Sequence, residues 1–297
     1  MVAVRSAVIP APLGRRLPAA DRYDAWMLVI VRPPGHAFRE AISTHPDRGR
    51  IDVSRAQAQH AAFCAALEDA GLSLLHLPEQ PDLPDATFVS DTLVALAPAG
   101  PARLPAVVVA RPAAASRRPE VDSVLRAALA RLPAEARIVT VEEPGTLEGG
   151  DVVIFGNRLA IGLSARTNVL GAGVLAEAAR SLGYRAFLCP VTDRLHLGTA
   201  VTAVAPDTLI GTAAGFASLD AAGPDTAPPG RVRRLLLPDD ELPGANVLVL
   251  GGHAFLASGN PIAARLLSET GLEVHELELD EFGLADGGPT CLVNLLP

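Results

Sequence analysis

Apolar residues recur along the chain in short runs. They occupy residues 27–31, 93–97, 106–110, 137–141, 151–155, 158–162, 200–204, 208–211, 233–237, 246–250, 253–257 and 292–296. Most are rich in Val, Ile and Leu and end at Gly, Pro or Asp, which predicts strands. The runs flanking Gly156-Asn157 and Gly251-Gly252 predict tight hairpins. Helical periodicity is confined to four stretches. Residues 54–70 open on Ser54 and stop before Gly71. Residues 120–132 place Val121, Val124, Leu125, Ala128, Leu129 and Leu132 on one face. Residues 167–182 and 260–270 complete the set, with Gly183 and Gly271 as stops. Strand–strand–helix–strand thus recurs every roughly 50–60 residues, the spacing of repeated units set around a centre. No glycine-rich phosphate loop leads from a strand into a helix, which weighs against a doubly wound dinucleotide fold.

With 49% hydrophobic and 20% charged residues over 297 positions, the chain has material for a sizeable core. Every basic residue is arginine, a bias that base composition explains without function. A net charge of −8 argues against a nucleic-acid-binding surface. No apolar run reaches the length of a membrane span. Residues 1–26 carry prolines and arginines but no continuous apolar stretch. They are expected to form a flexible extension, not a signal peptide, ahead of one catalytic domain over 27–297. Cys64, Cys189 and Cys291 lie far apart with no CxxC pair, which gives neither a thiolate metal site nor a disulfide framework. Unpaired thiols fit a reducing compartment, and the expectation is cytoplasmic. Cys64 and Cys189 read as small buried residues.

Five polar segments interrupt this pattern: residues 84–92, 115–118, 145–151, 195–199 and 286–291. Singly, each has a bland reading: Asp85 and Glu148 as turn residues, His196 as a hydrogen-bonded strand histidine, Cys291 as core. Jointly they make a chemical set. A cysteine needs a base or a positive charge nearby to react as thiolate, and histidine is the usual partner. A carboxylate can orient that histidine. Two carboxylates suit the planar N–H edges of a guanidinium, and arginines such as Arg117 and Arg166 suit a carboxylate at the other end of an amino acid.

In order and spacing, RPPGHAF (32–38), PDATFVSDT (84–92), ARPAAASRRPE (110–120), EPGTLEGGDV (143–152), ARTN (165–168), LHLGTAVTA (195–203) and DGGPTCL (286–292) resemble the dimethylarginine dimethylaminohydrolase family of the pentein superfamily. The resemblance implies an α/β fold, a five-bladed α/β-propeller of ββαβ repeats with its site in the central channel. It implies Cys291 as nucleophile, His196 as general acid and base, and Glu148 as the carboxylate that binds the guanidinium and orients His196. Asp91 would be the second guanidinium partner, Asp85 the α-amino ligand, and Arg117 and Arg166 the α-carboxylate ligands. The backbone carbonyls of Phe38 and Ala285 fall where the family contacts substrate. The implied reaction needs no metal or organic cofactor and turns a small guanidino compound into a urea. A homodimer is the family's expectation. Two positions depart from the pattern: Ser90 stands where the family usually has Glu, and Gly198 where it commonly has Lys. Ser90 bears on the substrate. Methylated arginines, arginine, hydroxyarginine and agmatine stay open, although Asp85, Arg117 and Arg166 favour an α-amino acid. Arginine deiminase activity, amidino transfer and a non-catalytic binder are the alternatives.

Overall fold

The structure, a computed structural model, describes residues 28–100, 104–223 and 232–297; the expected extension over 1–26 lies outside them. Strands β1 (Leu28–Val31) and β2 (Leu74–His76) run parallel across helix α1 (Val53–Asp69). The unit that follows is β3 (Leu93–Leu96), β4 (Ala106–Val109), α2 (Val121–Leu129) and β5 (Arg137–Thr140). Three more repeat its plan. They are β6 (Val152–Phe155), β7 (Arg158–Leu163), α3 (Val169–Ser181) and β8 (Arg185–Pro190); then β9 (Val201–Ala205), β10 (Thr208–Thr212), α4 (Ala213–Asp220) and β11 (Arg233–Leu237); then β12 (Leu248–Leu250), β13 (His253–Ala257), α5 (Pro261–Ser268) and β14 (Glu273–Leu277). After α6 (Asp280–Gly283), strand β15 (Val293–Leu296) returns to pair antiparallel with β1. Each of the five three-stranded sheets therefore holds one antiparallel and one parallel pair. The first blade is built from both ends of the described chain. This is the expected five-bladed ββαβ propeller.

Side-chain alternation explains how the ring closes. In β3, Leu93 and Ala95 join the core under α2, whereas Val94 and Leu96 join the core under α3. Each inner strand thus feeds two neighbouring blade junctions, and its run is apolar on both faces. Five such cores, one at each junction and each roofed by one of the helices α1 to α5, complete the circle.

Local chemistry sets the element ends. Gly251 and Gly252 both take positive φ (57° and 86°), as a two-residue hairpin with matching twist requires. Helix α1 is capped by Asp52, whose side chain accepts from the Arg55 amide, so it starts one residue before the predicted Ser54. Helix α4 was not predicted; it follows β10 directly, capped by Thr212. The unpredicted strands β2 and β14, and β8, of which only residues 185–188 read as strand-like, are the outer members of their sheets. They are half exposed, so charged and polar residues dilute their apolar signal.

Five short 3-10 turns, Val89–Asp91, Gly149–Asp151, Leu197–Thr199, Asp239–Ala245 and Pro289–Leu292, lead into the inner strands β3, β6, β9, β12 and β15. They pack side by side around the axis. Asp91, Gly150, Thr199, Asn246 and Cys291 each stand two residues before their inner strand. The fold thereby points five equivalent positions at one centre.

Candidate active site

On one side of this ring Asp85, Asp91, Arg117, Glu148, Arg166, His196, Ala285 and Cys291 line a single pocket. Glu148 is fully buried; its Oε2 accepts a hydrogen bond from His196 Nε2 at 2.9 Å and its Oε1 accepts one from the Ala113 amide. Asp151 fixes the turn carrying His196, accepting from the Leu197 amide at 3.0 Å and from Ser164 Oγ at 2.6 Å. The imidazole rests against Gly150: a Cβ there would lie 2.5 Å from His196 Nδ1, so the close approach requires glycine. Asp91 accepts from the Gly150 amide through Oδ1 and from Arg117 Nη1 through Oδ2, both at 2.8 Å. One carboxylate therefore ties the second blade to the third.

The charges are strongly coupled. Burial alone draws the His196 pKa down, but Asp91, the hydrogen bond His196 donates to Glu148 and the charge of Asp151 lift it to about 9. At neutral pH His196 is an imidazolium. Burial and the Asp91 charge raise the Cys291 pKa, against donors from Asn246 and Thr290, so Cys291 rests as a thiol. Asp91 is held below the usual carboxylate range: burial opposes ionisation, and His196 and Arg117 outweigh it. Burial lifts Asp85 above that range.

Arg117 occupies a telling place. It is 4% exposed, and its Nη1 lies 2.8 Å from Asp91 and 3.6 Å from Glu148, the two carboxylates expected to hold a substrate guanidinium. Its Nε and Nη2 are bonded by Glu120 Oε2 at 3.2 and 3.0 Å. Buried carboxylates this close need a counter-cation, and Arg117 supplies it. Arg166 approaches Glu148 from the other side at 3.6 Å.

An N(G),N(G)-dimethylarginine dimethylaminohydrolase of Streptomyces coelicolor is 36% identical over 264 residues, spanning 89% of this chain and 94% of that protein. The chain belongs to the dimethylarginine dimethylaminohydrolase family. The enzyme of that name from Pseudomonas aeruginosa is 26% identical over 89% of this chain and 97% of that protein. Its crystal structure as a cysteine-to-serine mutant complexed with citrulline superposes with a TM-score of 0.77, at 24% identity and over 91% of this chain and 99% of that one. The N-terminal domain of ArgZ, a cyanobacterial arginine dihydrolase, superposes with a TM-score of 0.72 at 15% identity, over 90% and 97% of the two chains. These two likenesses carry the fold. No family model matches the chain.

Two of the residues that family resemblance singled out lie elsewhere than expected. Phe38 is fully buried, its ring against Phe88 and Phe282, and its carbonyl accepts from the Ala41 amide within its own turn. The pocket wall at that point is Ile42. Ser90 faces the other side of the ring, where with Gly149, Gly150, Gly198 and Thr290 it borders a cavity of about 390 Å³. Strands β6, β9 and β12 wall that cavity with Val152, Ile154, Thr202 and Val249. Ser90 Oγ is buried and has no hydrogen-bond partner among the described residues. A one-residue step along a turn, from Ser90 to Asp91 or from Thr290 to Cys291, exchanges one face for the other.

Asn246 escaped the sequence reading, which took it as the first residue of a strand. Its Oδ1 accepts from the Thr290 amide at 3.0 Å and from Thr290 Oγ1 at 2.9 Å, and its Nδ2 donates to Cys291 Sγ at 3.6 Å. The signal was available in its register, two residues before an inner strand like Asp91 and Cys291. Asp286, at φ 56°, accepts from Ser43 Oγ and from the Thr44 amide and hydroxyl, drawing residues 43–44 towards the pocket rim. Cys64 and Cys189 sit in apolar cores with their pKa raised to about 12 by burial, as inert thiols do.

Asp91, Glu148 and His196 bring three possible metal-ligating atoms within 4.8 Å of one another. Arg117 already engages both carboxylates, and a protonated imidazole offers no lone pair, so this set suits an organic cation better than a metal. Among the described residues no helix is long and apolar enough to cross a membrane.

Proposed function

We propose that the protein hydrolyses the guanidino C–N bond of an N-substituted arginine, releasing citrulline and an amine through a covalent adduct on Cys291. The observation that carries this reading is the lining of one pocket by Asp91, Glu148, His196 and Cys291, with His196 bonded to Glu148 at 2.9 Å. The substrate guanidinium replaces that of Arg117 between Asp91 and Glu148, an exchange of like cation for like that leaves the buried carboxylates paired. Arg117 is thereby released and, with Arg166, meets the α-carboxylate, while Asp85 meets the α-amino group.

The bound cation lowers the Cys291 pKa, and the thiol releases its proton to solvent as the substrate binds, so the thiolate forms where it is needed. Cys291 Sγ attacks the guanidinium carbon. The C–N bond to the leaving nitrogen breaks, and that nitrogen takes the proton of the His196 imidazolium. His196, now neutral, receives a proton from water as the water oxygen adds to the thiouronium carbon. Collapse expels the Cys291 thiolate, which takes the proton left on the urea oxygen and so returns to the thiol.

A second reading concerns the substituent. Ser90 and Gly198, the two departures from the family pattern, both border the cavity beneath the site, and the Ser90 hydroxyl has no partner among the described residues. This supports a nitrogen substituent larger than two methyl groups, reaching between the turns. Unpaired cysteines support a cytoplasmic location, and a homodimer is carried from the family likeness; light scattering on the purified chain checks the latter.

A product assay across dimethylarginine, monomethylarginine, arginine, hydroxyarginine, agmatine and an N-alkylarginine of longer chain tests both readings. Citrulline from at least one arginine derivative is expected, and little turnover of agmatine. Conversion of none of them, or a transferred amidino group in place of a urea, overturns the hydrolase. Faster turnover of methylated than of longer-chain substrates removes the second reading alone.

A further inference from the structure

Outside the active site, one more set of ligating atoms comes together among the described residues. His253 opens β13, and Glu273 and His275 lie two residues apart on β14, the parallel neighbour. The register pairs His253 with Glu273 and Phe255 with His275, so all three side chains emerge on one face of the outer strand pair. His253 Nδ1 and His275 Nε2 are 3.0 Å apart. Glu273 Oε2 lies 3.6 Å from His253 Nδ1, and its Oε1 lies 3.9 Å from His275 Nε2.

A hydrogen bond between the rings accounts for the first distance and not for the other two, which exceed hydrogen-bonding range. A zinc ion held among the three side chains would draw their ligand atoms to one spacing. Metal–ligand bonds of about 2.0–2.1 Å at tetrahedral angles separate neighbouring ligand atoms by ~3.3 Å, within a few tenths of an ångström of two of the three spacings. Two imidazoles and one carboxylate suit a borderline divalent cation such as zinc and not calcium or magnesium, which require oxygen ligands. The rings are also preset. Phe255, fully buried, stacks on His275 at 4.8 Å between centroids and 16° between planes, and His253 is fixed by the β12–β13 hairpin. The ring nitrogens converge before any ion arrives, which limits the ordering cost of binding. The half-buried histidines and the exposed Glu273 leave an entry path and a fourth position for water.

We propose that His253, Glu273 and His275 form a zinc-class cation site that fastens the outer strand of the fifth blade. It is independent of the catalytic pocket and does not rest on the reading of that pocket. The test uses the full chain in a Cys291→Ser background, which removes the only catalytic thiolate. Chelator-treated protein is titrated with zinc, with bound metal measured after dialysis and the thermal midpoint recorded at each concentration. Retention of about one equivalent and a rising midpoint are expected. Glu273→Gln is expected to weaken binding at least tenfold, and His253→Asn with His275→Asn to abolish it, while citrulline formation by the same variants bearing Cys291 is unchanged. Zinc binding of equal affinity in the double variant, or none at micromolar zinc in the parent, overturns the proposal. Metal that disappears on His196→Gln instead would assign it to the catalytic pocket and overturn it equally.

Discussion

The two sides of the turn ring differ in every respect except the backbone that builds them. The upper face gathers Asp91, Glu148, His196 and Cys291 with two arginines into a pocket of paired charges. The lower face, one residue away along the same turns, presents Ser90, Gly149, Gly198 and Thr290 to a mostly aliphatic cavity. Chemistry and shape are thus written on alternate positions. A substitution on the lower face can change what the site accommodates without touching the groups that react.

That contrast can be broken most sharply at Cys291. Cys291→Ser should reduce citrulline formation on the order of a thousandfold or more while leaving the urea midpoint within error of the parent. Glu148→Gln should come next, lowering kcat about a hundredfold or more. It should also move the alkaline limb of the pH–rate profile to lower pH, because part of what holds His196 at about 9 is lost. A normal kcat with an unmoved limb would leave Glu148 no part in orienting the histidine.

Asn246→Ala is a subtler probe of the upper face. Loss of its donor to Cys291 should cost about tenfold in kcat, as for one hydrogen bond to a developing thiolate. It should also shift alkylation of the free enzyme by iodoacetamide to higher pH, since the Asn246 donor lowers the Cys291 pKa. A lower kcat with an unchanged alkylation profile would assign Asn246 a purely structural part.

Stability gives a further contrast. The His196 pKa is raised from 6.5 to about 9 on folding, so its contribution is fully present below pH 6.5 and is lost as pH rises through 9. Between pH 6.5 and 10 the urea midpoint of the parent should therefore fall more than that of His196→Gln. The smallest effect belongs to the lower face. Ser90→Leu should leave monomethylarginine turnover within about threefold, as for a change that removes no reacting group, and should depress turnover of longer N-alkylarginines more. Equal effects on all substrates would dissolve the distinction between the two faces.

Much of this was legible in the sequence, for identifiable reasons. Inner and middle strands such as β3, β4 and β7 are buried on both faces, so their apolar runs stand out, and the glycine pair 251–252 announces its hairpin. Outer strands β2 and β14 carry His76 or Glu273 and Glu276 towards solvent, which erases the pattern. The pocket residues Asp91, Glu148, His196 and Cys291 were legible because they stand in short polar motifs between apolar runs. Their partnerships were not. That Arg117 lies against Asp91 and Glu120, that Asn246 reaches Cys291, and that Ser90 turns away from the pocket depend on how turns from different blades meet at the axis. No local pattern encodes that meeting; only the register of each turn with its strand hints at it.

The central claim is that Cys291 forms a covalent bond to the guanidinium carbon. Intact-mass measurement of enzyme quenched with acid during turnover of an N-substituted arginine tests it most directly. The predicted result is an added mass equal to the substrate less its departing amine, located on Cys291 and absent from Cys291→Ser. Steady citrulline formation with no adduct on Cys291, persisting in Cys291→Ser, would contradict it.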